Sequence, residues 1–353
     1  MRTRGLERRT PKSKQRRAGK GALRHASDSE PGITRRRAGR GFVYLDERGA
    51  RIREAAILAR IRALAIPPAY VDVWICSDRR GHLQATGRDA RGRKQYRYHP
   101  AWQRRRDSKK FRRLLRFGAR LPALRARIRR DRRAAGLPRD KVLSIMVGVM
   151  TATSLRIGDP GYTRSNHSYG LTTLRSRHVT FRRDGSAIFR FPGKSGQTRE
   201  AELHDRRLVR LVCRCSRLPG PALFQYEDEG GYRRVAAAQV NQYLHDILGE
   251  RFSAKDFRTW TGTLTVINCL AGTPLPDTAG ARARRAAVKQ AVATAAEQLG
   301  NTPAVCRKAY VCPEVVAGWL AGELHRFVPA GVAGRPRPLE RAAVRFLRHC
   351  LDS

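Results

Sequence analysis

The 353-residue sequence lacks three features, and each absence excludes a class of protein. It has no run of about 20 apolar residues, so no transmembrane helix is predicted. Its first residues, MRTRGLERRTPKSK, lack the apolar stretch of a secretory signal, so we expect a cytoplasmic protein. It contains no GxxxxGK[ST] loop, the glycine-rich turn that holds nucleotide phosphates, so ATP use is not indicated.

Cysteine is scarce and irregularly spaced. The seven cysteines are odd in number, which predicts reduced thiols rather than a disulfide framework. Cys213 and Cys215 form a C-x-C pair without a second pair at the distance of a zinc site. We therefore predict no metal site and no cofactor.

Acidic residues are also few. The chain has 29 Asp and Glu against 74 Lys and Arg, which gives a formal net charge of +45. A field of this sign concentrates polyanions, and nucleic acid is the most common of them. An anionic membrane surface is the rival partner, although no membrane-spanning segment supports it.

Composition and periodicity predict an α+β protein in four parts. Residues 1–40 are rich in Lys and Arg and poor in apolar side chains, which predicts a disordered basic arm. Residues 41–106 predict a small β-rich domain, and residues 107–328 a mostly helical domain with a small three-stranded sheet. Residues 329–353 are interpreted as a basic C-terminal extension.

Two strand patterns stand out in the β-rich part. An apolar run at residues 73–76, a turn at 78–81 and a return run at 82–86 predict a hairpin. Aromatic and polar residues alternate at residues 93–98, which places Tyr96 and Tyr98 on one strand face. Gln95 and Arg97 then lie on the other face.

The helical part combines apolar stripes with one sheet. Helices are predicted at residues 102–117, 121–133 and 139–155, each from three-to-four spacing of apolar residues. A three-stranded meander follows, with Lys194 at a turn tip. Further helices are predicted to end at Gly249 and Gly300 and to begin after Ser253 and at Pro303.

The C-terminal half holds residues that suit cleavage of a phosphodiester. Such a cut needs a nucleophile, cations for the charge that builds on the phosphate oxygens, an acid for the leaving oxygen, and alignment. Taken singly, an arginine is more often a surface charge and a tyrosine a packing residue. Their order along the chain carries the interpretation, and the candidates are Arg156, Lys194, Arg258, Asn301 and Tyr310.

This order resembles the type IB DNA topoisomerases of poxviruses and bacteria. It consists of an Arg, a Lys in a hairpin, K-x-x-R, then an Asn or His followed nine residues later by a Tyr. The resemblance covers about Arg60 to Leu320, and its bacterial members look most similar. The segments that carry it are IPPAYVDVWIC, GHLQATGRDARGRKQYRYHP, SYGLTTLRSRHV, GKSG, KDFRTW and GNTPAVCRKAYV.

The resemblance implies a role for each catalytic candidate. Tyr310 matches the nucleophile that forms a 3′-phosphotyrosyl bond. Arg156 and Arg258 match the two arginines that hold the scissile phosphate, and Lys194 matches the general acid for the 5′ oxygen. Asn301 matches a position held by His or Asn, which donates a hydrogen bond to a phosphate oxygen; Asn donates without carrying a charge.

Four further residues match positions that assist the site or contact DNA. Lys255 matches a lysine beside the active site, and Tyr162 a tyrosine that holds the DNA backbone. Gln95 and Tyr96 match residues of the N-terminal domain that contact DNA near the cut. The implied activity is relaxation of supercoiled duplex DNA without ATP or a required metal. The implied protein is a monomer or C-shaped clamp on double-stranded DNA, associated with the bacterial nucleoid.

The chain departs from the family after Arg156. Asp159-Pro160-Gly161 stands where a run such as asparagine-glutamate-glutamate is usual, and we expect Pro160 to disturb a continuing helix there.

Two alternative functions stay open at this point. A tyrosine recombinase shares the chemistry but usually has H-x-x-R where this chain has Lys255-Asp256-Phe257-Arg258. A non-catalytic protein that compacts DNA would explain the charge and the altered loop.

Overall fold

The structure is a computed structural model that describes residues 22–193, 196–249, 252–274 and 280–352, apart from the side chain of Tyr162. The chain divides into two compact units, residues 1–109 and 110–353. Each unit has its own apolar cluster. Among the described residues, no helix is both long and apolar enough to cross a membrane.

The first unit is built on a five-stranded antiparallel sheet in the order β2-β1-β3-β4-β5. One helix, α1 (Ala55–Ala63), contributes Ile61 to the core beneath the sheet. The strands are β1 (Ile33–Ala38), β2 (Gly41–Leu45), β3 (Val71–Ile75), β4 (Leu83–Arg88) and β5 (Lys94–Tyr98).

Strand β5 shows the alternation that its sequence predicts. The rings of Tyr96 and Tyr98 lie on one face, with centroids 6.1 Å apart and planes 11° from parallel. Tyr96 remains 49% exposed. The predicted hairpin before it is also present as β3 and β4, with Trp74 opposite Thr86.

The prediction that residues 1–40 form a disordered arm is wrong for the last part of this range. Residues 33–38 form β1, which pairs with both β2 and β3. Only Ile33 of this strand enters the core; Arg36 and Arg37 are exposed, and Arg35 is half-buried, where its guanidinium donates to the carbonyls of Pro67 and Tyr70. A strand with one buried residue leaves almost no apolar pattern in the sequence, which explains the error. Residues 1–21 lie outside the described residues.

The second unit is mostly helical. Its core is one apolar cluster, to which most of its helices contribute buried residues. The helix α2 begins in the first unit and continues into the second. The described helices are α2 (Pro100–Asp131), α3 (Arg139–Thr153), α4 (Pro160–Asn166), α5 (Arg206–Ser216), α6 (Ala237–Leu248), α7 (Ala254–Ala271), α8 (Ala281–Leu299), α9 (Pro303–Tyr310), α10 (Pro313–Leu320), α11 (Leu324–Phe327) and α12 (Pro336–Asp352).

Two helix predictions need correction. The helices predicted at 102–117 and 121–133 are one helix, α2, because its buried stripe continues past Pro122, which lies exposed on the outer face. The predicted C-terminal extension is part of the fold: α12 buries Leu339, Phe346 and Leu347 in the main core. The many arginines of this segment led to its interpretation as a basic extension, although its apolar residues have helical spacing.

Two small sheets complete this unit. Strands β6 (Val179–Phe181), β7 (Ala187–Pro192) and β8 (Thr198–Leu203) form the predicted three-stranded meander. Its inner face places Phe189 in the core. Lys194, predicted at the turn between β7 and β8, lies outside the described residues. A second hairpin, β9 (Gln225–Asp228) with β10 (Gly231–Arg234), was not predicted.

The fold class is therefore α+β, as predicted: a β-rich first unit and a mostly helical second unit with small sheets. Glycine ends two helices of the second unit. Gly249 and Gly300 have φ of 69° and 58° after α6 and α8, the left-handed conformation that stops a helix.

Candidate active site

Arg258 lies in the second turn of α7, and the start of that helix is fixed by a capping box. The carboxylate of Asp256 accepts hydrogen bonds from the backbone N–H and the hydroxyl of Ser253, at 2.8 and 3.0 Å. Asp256 also pairs with Arg113 of α2 at 3.0 Å. The helix that carries Arg258 is thus anchored at its first turn.

The guanidinium of Arg258 is 5% exposed and is held by two backbone carbonyls. Its Nη1 donates to the carbonyl of Ser154, just after α3, and its Nη2 donates to the carbonyl of Leu299, at the end of α8, both at 2.6 Å. Helix ends leave carbonyls without partners inside the helix, and these bonds satisfy one at each end. One side chain therefore joins α3, α7 and α8.

Burial has an electrostatic consequence for Arg258. Desolvation, followed by the nearby charge of Arg156, lowers the pKa of Arg258 to about 10. The side chain still carries its charge at neutral pH. A buried cation of this kind gains most from an anion that arrives from solution, because burial weakens the competing hydration.

Tyr310 is the last residue of α9 and its ring lies beside Arg258. The guanidinium carbon is 5.2 Å from the ring centroid. Helix α9 begins as predicted, with Pro303 at its first position and the hydroxyl of Thr302 accepting from the N–H of Val305 at 3.4 Å. Tyr310 is only partly buried, and its phenol interacts with the guanidinium of Arg258.

Arg156 lies beyond the end of helix α3. Helix α3 ends at Thr153, and Ser154 has φ of 55°, which stops the helix two residues earlier than predicted. Arg156 is half-buried in the irregular segment that follows. Its Nη2 donates to Oδ1 of Asn301 at 2.8 Å. The two predicted phosphate-binding residues therefore contact each other directly.

The segment after Arg156 is positioned by backbone contacts. The carbonyls of Arg156 and Ile157 accept from the N–H groups of Leu171 and Thr172, at 2.9 and 2.8 Å. A Cβ on Gly170 would lie 2.5 Å from the nitrogen of Gly158, so only glycine permits this approach.

The expected disturbance by Pro160 needs correction. No helix continues through this segment, because α3 has already ended. Pro160 is instead the first residue of α4, where a proline costs no hydrogen bond. The unusual sequence Asp159-Pro160-Gly161 thus starts a short separate helix.

A cavity of about 80 Å³ lies where these elements meet. Three of its lining residues carry guanidinium groups, and none of the described residues that line it is acidic. Gly193, the described residue before Lys194, is at its edge. The lining residues are Ser154, Leu155, Arg156, Tyr169, Phe191, Gly193, Gln197, Thr198, Arg199, Arg258 and Gly300.

Arg199 of β8 was missed by the sequence reasoning. It donates to the carbonyls of Glu297 and Gln298, near the end of α8, at 3.3 and 2.5 Å. Burial and the charge of Arg156 lower its pKa. Because 74 Lys and Arg residues are present, no sequence signal separates this one from surface charges.

The remaining predicted residues are Lys255, Tyr162, Gln95 and Tyr96. Lys255 is exposed at the second position of α7. Tyr162 lies on α4, with its side chain outside the described part of the chain. Gln95 and Tyr96 belong to the first unit, where Nε2 of Gln95 donates to Asp89 at 3.0 Å. Their contacts with DNA stay predictions.

Two known families match this chain. The bacterial DNA topoisomerase IB N-terminal domain matches residues 41–89, within the β-rich unit. The catalytic core of eukaryotic DNA topoisomerase I matches residues 99–315, more than half of the chain, and this range includes the cavity. The chain therefore belongs to the type IB DNA topoisomerase family. It is a type I topoisomerase, an isomerase whose substrate is DNA.

Individual relatives agree with this family. The chain is 33% identical to DNA topoisomerase 1B of Acanthamoeba polyphaga mimivirus over 289 residues, 79% of this chain and 85% of the relative. It is 22% identical to DNA topoisomerase I of Monkeypox virus and to DNA topoisomerase 1B of Vaccinia virus (strain Copenhagen). Each of those alignments spans 236 residues, 65% of this chain and 70% of the relative. The family removes the recombinase alternative and the non-catalytic alternative.

Proposed function

We propose that the enzyme relaxes supercoiled duplex DNA by cutting and resealing one strand, with Tyr310 as the nucleophile. The phenolic oxygen of Tyr310 attacks the scissile phosphorus, the bond from phosphorus to the 5′ oxygen breaks, and a 3′-phosphotyrosyl ester forms. The phenolic proton is lost to solvent and the leaving 5′ oxygen takes a proton from the acid. The free 5′ end rotates, and its hydroxyl then attacks the ester to restore the strand.

Arg258 and Arg156 neutralise the charge that develops on the non-bridging oxygens. Guanidinium groups suit this task because they make paired hydrogen bonds to phosphate. Arg258 is held in place before DNA arrives, so little reorganisation is needed during the reaction. Asn301 orients Arg156 through its Oδ1, one of its amide N–H groups donates to the carbonyl of Leu299 at 3.5 Å, and the other donates to a phosphate oxygen.

Lys194 is proposed as the general acid. Its ammonium donates the proton to the 5′ oxygen in cleavage and recovers it in religation. Because the phosphotyrosyl ester keeps the energy of the broken bond, ATP is not required. A metal is not required for the chemistry either.

The observation that carries this proposal is the position of Tyr310 beside Arg258. A guanidinium 5.2 Å from the ring centroid lies close to where a phosphate must bind for that phenol to attack it. Arg156, Asn301 and Gly193 border the same region. The net charge of +45 supports duplex DNA as the ligand.

A plasmid relaxation assay with EDTA and without ATP tests the proposal. We expect relaxation by the wild type and none by Tyr310→Phe, which keeps the ring and removes the attacking oxygen. The control is Tyr232→Phe on β10, a 46% exposed tyrosine that should be dispensable. Dependence of the wild type on metal or ATP, or relaxation by Tyr310→Phe, would contradict the proposal.

We further propose that the enzyme works as a monomer clamped on duplex DNA, in the bacterial cytoplasm at the nucleoid. The charge balance supports close association with DNA. Sedimentation with and without a duplex distinguishes one copy per site from two, and two copies would contradict this part.

A further inference from the structure

Thr263 lies on α7, five residues after Arg258, and is fully buried. Its hydroxyl contacts the chain at both sides of Val311. Oγ1 donates to the carbonyl of Tyr310 at 3.0 Å and accepts from the N–H of Cys312 at 3.2 Å. A threonine hydroxyl has one proton to donate and can also accept, so these two bonds use both abilities.

Helix α7 has a glycine, Gly262, where its backbone passes Tyr310. A Cβ added to Gly262 would lie 3.0 Å from both the Cβ and the carbonyl oxygen of Tyr310. This spacing is tighter than ordinary packing, so glycine lets the two segments approach. Gly262 and Thr263 together form the surface on which the end of α9 lies.

The end of α9 needs such partners. Helix α9 stops at Tyr310, and Val311 is extended, with φ of −107° and ψ of 129°. The last carbonyls of a helix have no partner within it. Nζ of Lys110, on α2, donates to the carbonyl of Ala309 at 2.6 Å, and Thr263 donates to the next carbonyl. Side chains from two other helices thus hold the end of α9.

We propose that Thr263 is a positioning residue that fixes Tyr310 relative to Arg258. This role rests on the proposed function of Tyr310 as the nucleophile. Because Thr263 and Arg258 are on one helix, its hydroxyl links the backbone of Tyr310 to the same rigid element that carries the guanidinium. An error of about 1 Å in the attacking group can reduce a rate by about 10²-fold.

Three variants separate positioning from stability. Thr263→Val keeps the shape and removes both hydrogen bonds, whereas Thr263→Ser keeps the hydroxyl. Thr259→Val is the matched control, because Thr259 is also buried on α7 but donates to the carbonyl of Lys255 within its own helix, at 3.2 Å. Thermal unfolding, DNA affinity, and the rates of single-turnover cleavage and religation are measured for each.

We expect Thr263→Val to slow cleavage and religation alike by about 10- to 100-fold, with DNA affinity unchanged. Thr263→Ser should recover most of both rates. Thr259→Val removes only a bond within its own helix and should cleave like the wild type. Should Thr263→Val fail to fold, Thr263→Ala gives the same comparison, because the space that it opens lets water bond the carbonyl of Tyr310 and the N–H of Cys312.

A Thr263→Val enzyme that cleaves like Thr259→Val would overturn the positioning role. So would a rate loss that Thr263→Ser shares in full. Neither result affects the nucleophile assignment, which fails only if Tyr310→Phe forms the covalent adduct. The two ideas can therefore fail separately.

Discussion

The two arginines of the candidate active site are held by different parts of the molecule in different ways. Arg258 is on a capped helix, is buried, and donates to two backbone carbonyls. Arg156 is in an irregular segment, is half-buried, and donates to the side chain of Asn301. The guanidinium of Arg258 is therefore fixed by how three helices meet, whereas within the described residues the guanidinium of Arg156 is held by the side chain of Asn301.

The largest effect should come from replacing each arginine by alanine. Arg258→Ala removes a buried cation, and we expect cleavage about 10³-fold slower, against about 10²-fold for Arg156→Ala. Arg258→Ala should also lower the thermal unfolding midpoint more, because it leaves the carbonyls of Ser154 and Leu299 without a donor. Single-turnover cleavage and thermal unfolding check both. Equal losses of stability would show that the two arginines are held alike.

The next effect concerns pH and Asn301. Arg258 is active when charged, so with its pKa lowered to about 10 the cleavage rate should fall as pH rises through that value. Asn301 does not titrate. Asn301→His should add a second inflection near pH 6.5, the ordinary value for histidine, with faster cleavage on the acidic side. Cleavage rates from pH 5.5 to 10.5 for both enzymes provide the measurement. An inflection near pH 6.5 in the wild type would contradict the role of Asn301.

The smallest effect should come from the altered loop. Because Pro160 starts α4 and does not interrupt a helix, Pro160→Ala should change the cleavage rate less than about twofold. Asn301→Ala, which removes the actual partner of Arg156, is the matched comparison and should slow cleavage clearly more. A large change in rate with Pro160→Ala would show that the loop controls Arg156 after all.

Sequence patterns predicted those parts that local rules determine. The meander β6–β8 and the helix ends at Gly249 and Gly300 follow from turn and capping residues, and the structure confirms them. Strand β1 was not predicted, because three of its six residues are arginines and only Ile33 is fully buried. The end of α3 was misjudged because a residue with positive φ, Ser154, stops it without a glycine.

The contacts within the site could not be predicted from the sequence, because they join residues that are far apart along the chain. The carbonyls that hold Arg258 belong to Ser154 and Leu299, residues 104 and 41 positions away along the chain. Arg199 and Thr263 act in the same way, through segments that meet only in the folded unit. The resemblance to a known family named the candidates, but only the fold shows which of them contact one another.

The most direct test of the account uses DNA with sulfur in place of the 5′ bridging oxygen at the cut. A thiolate leaves without a proton, so this substrate should restore cleavage to Lys194→Ala, which lacks only the acid. It should not restore Tyr310→Phe, which lacks the nucleophile. The account predicts a covalent protein–DNA adduct from Lys194→Ala and none from Tyr310→Phe. An adduct formed by Tyr310→Phe would contradict the central claim, and an inactive Lys194→Ala would remove Lys194 as the acid.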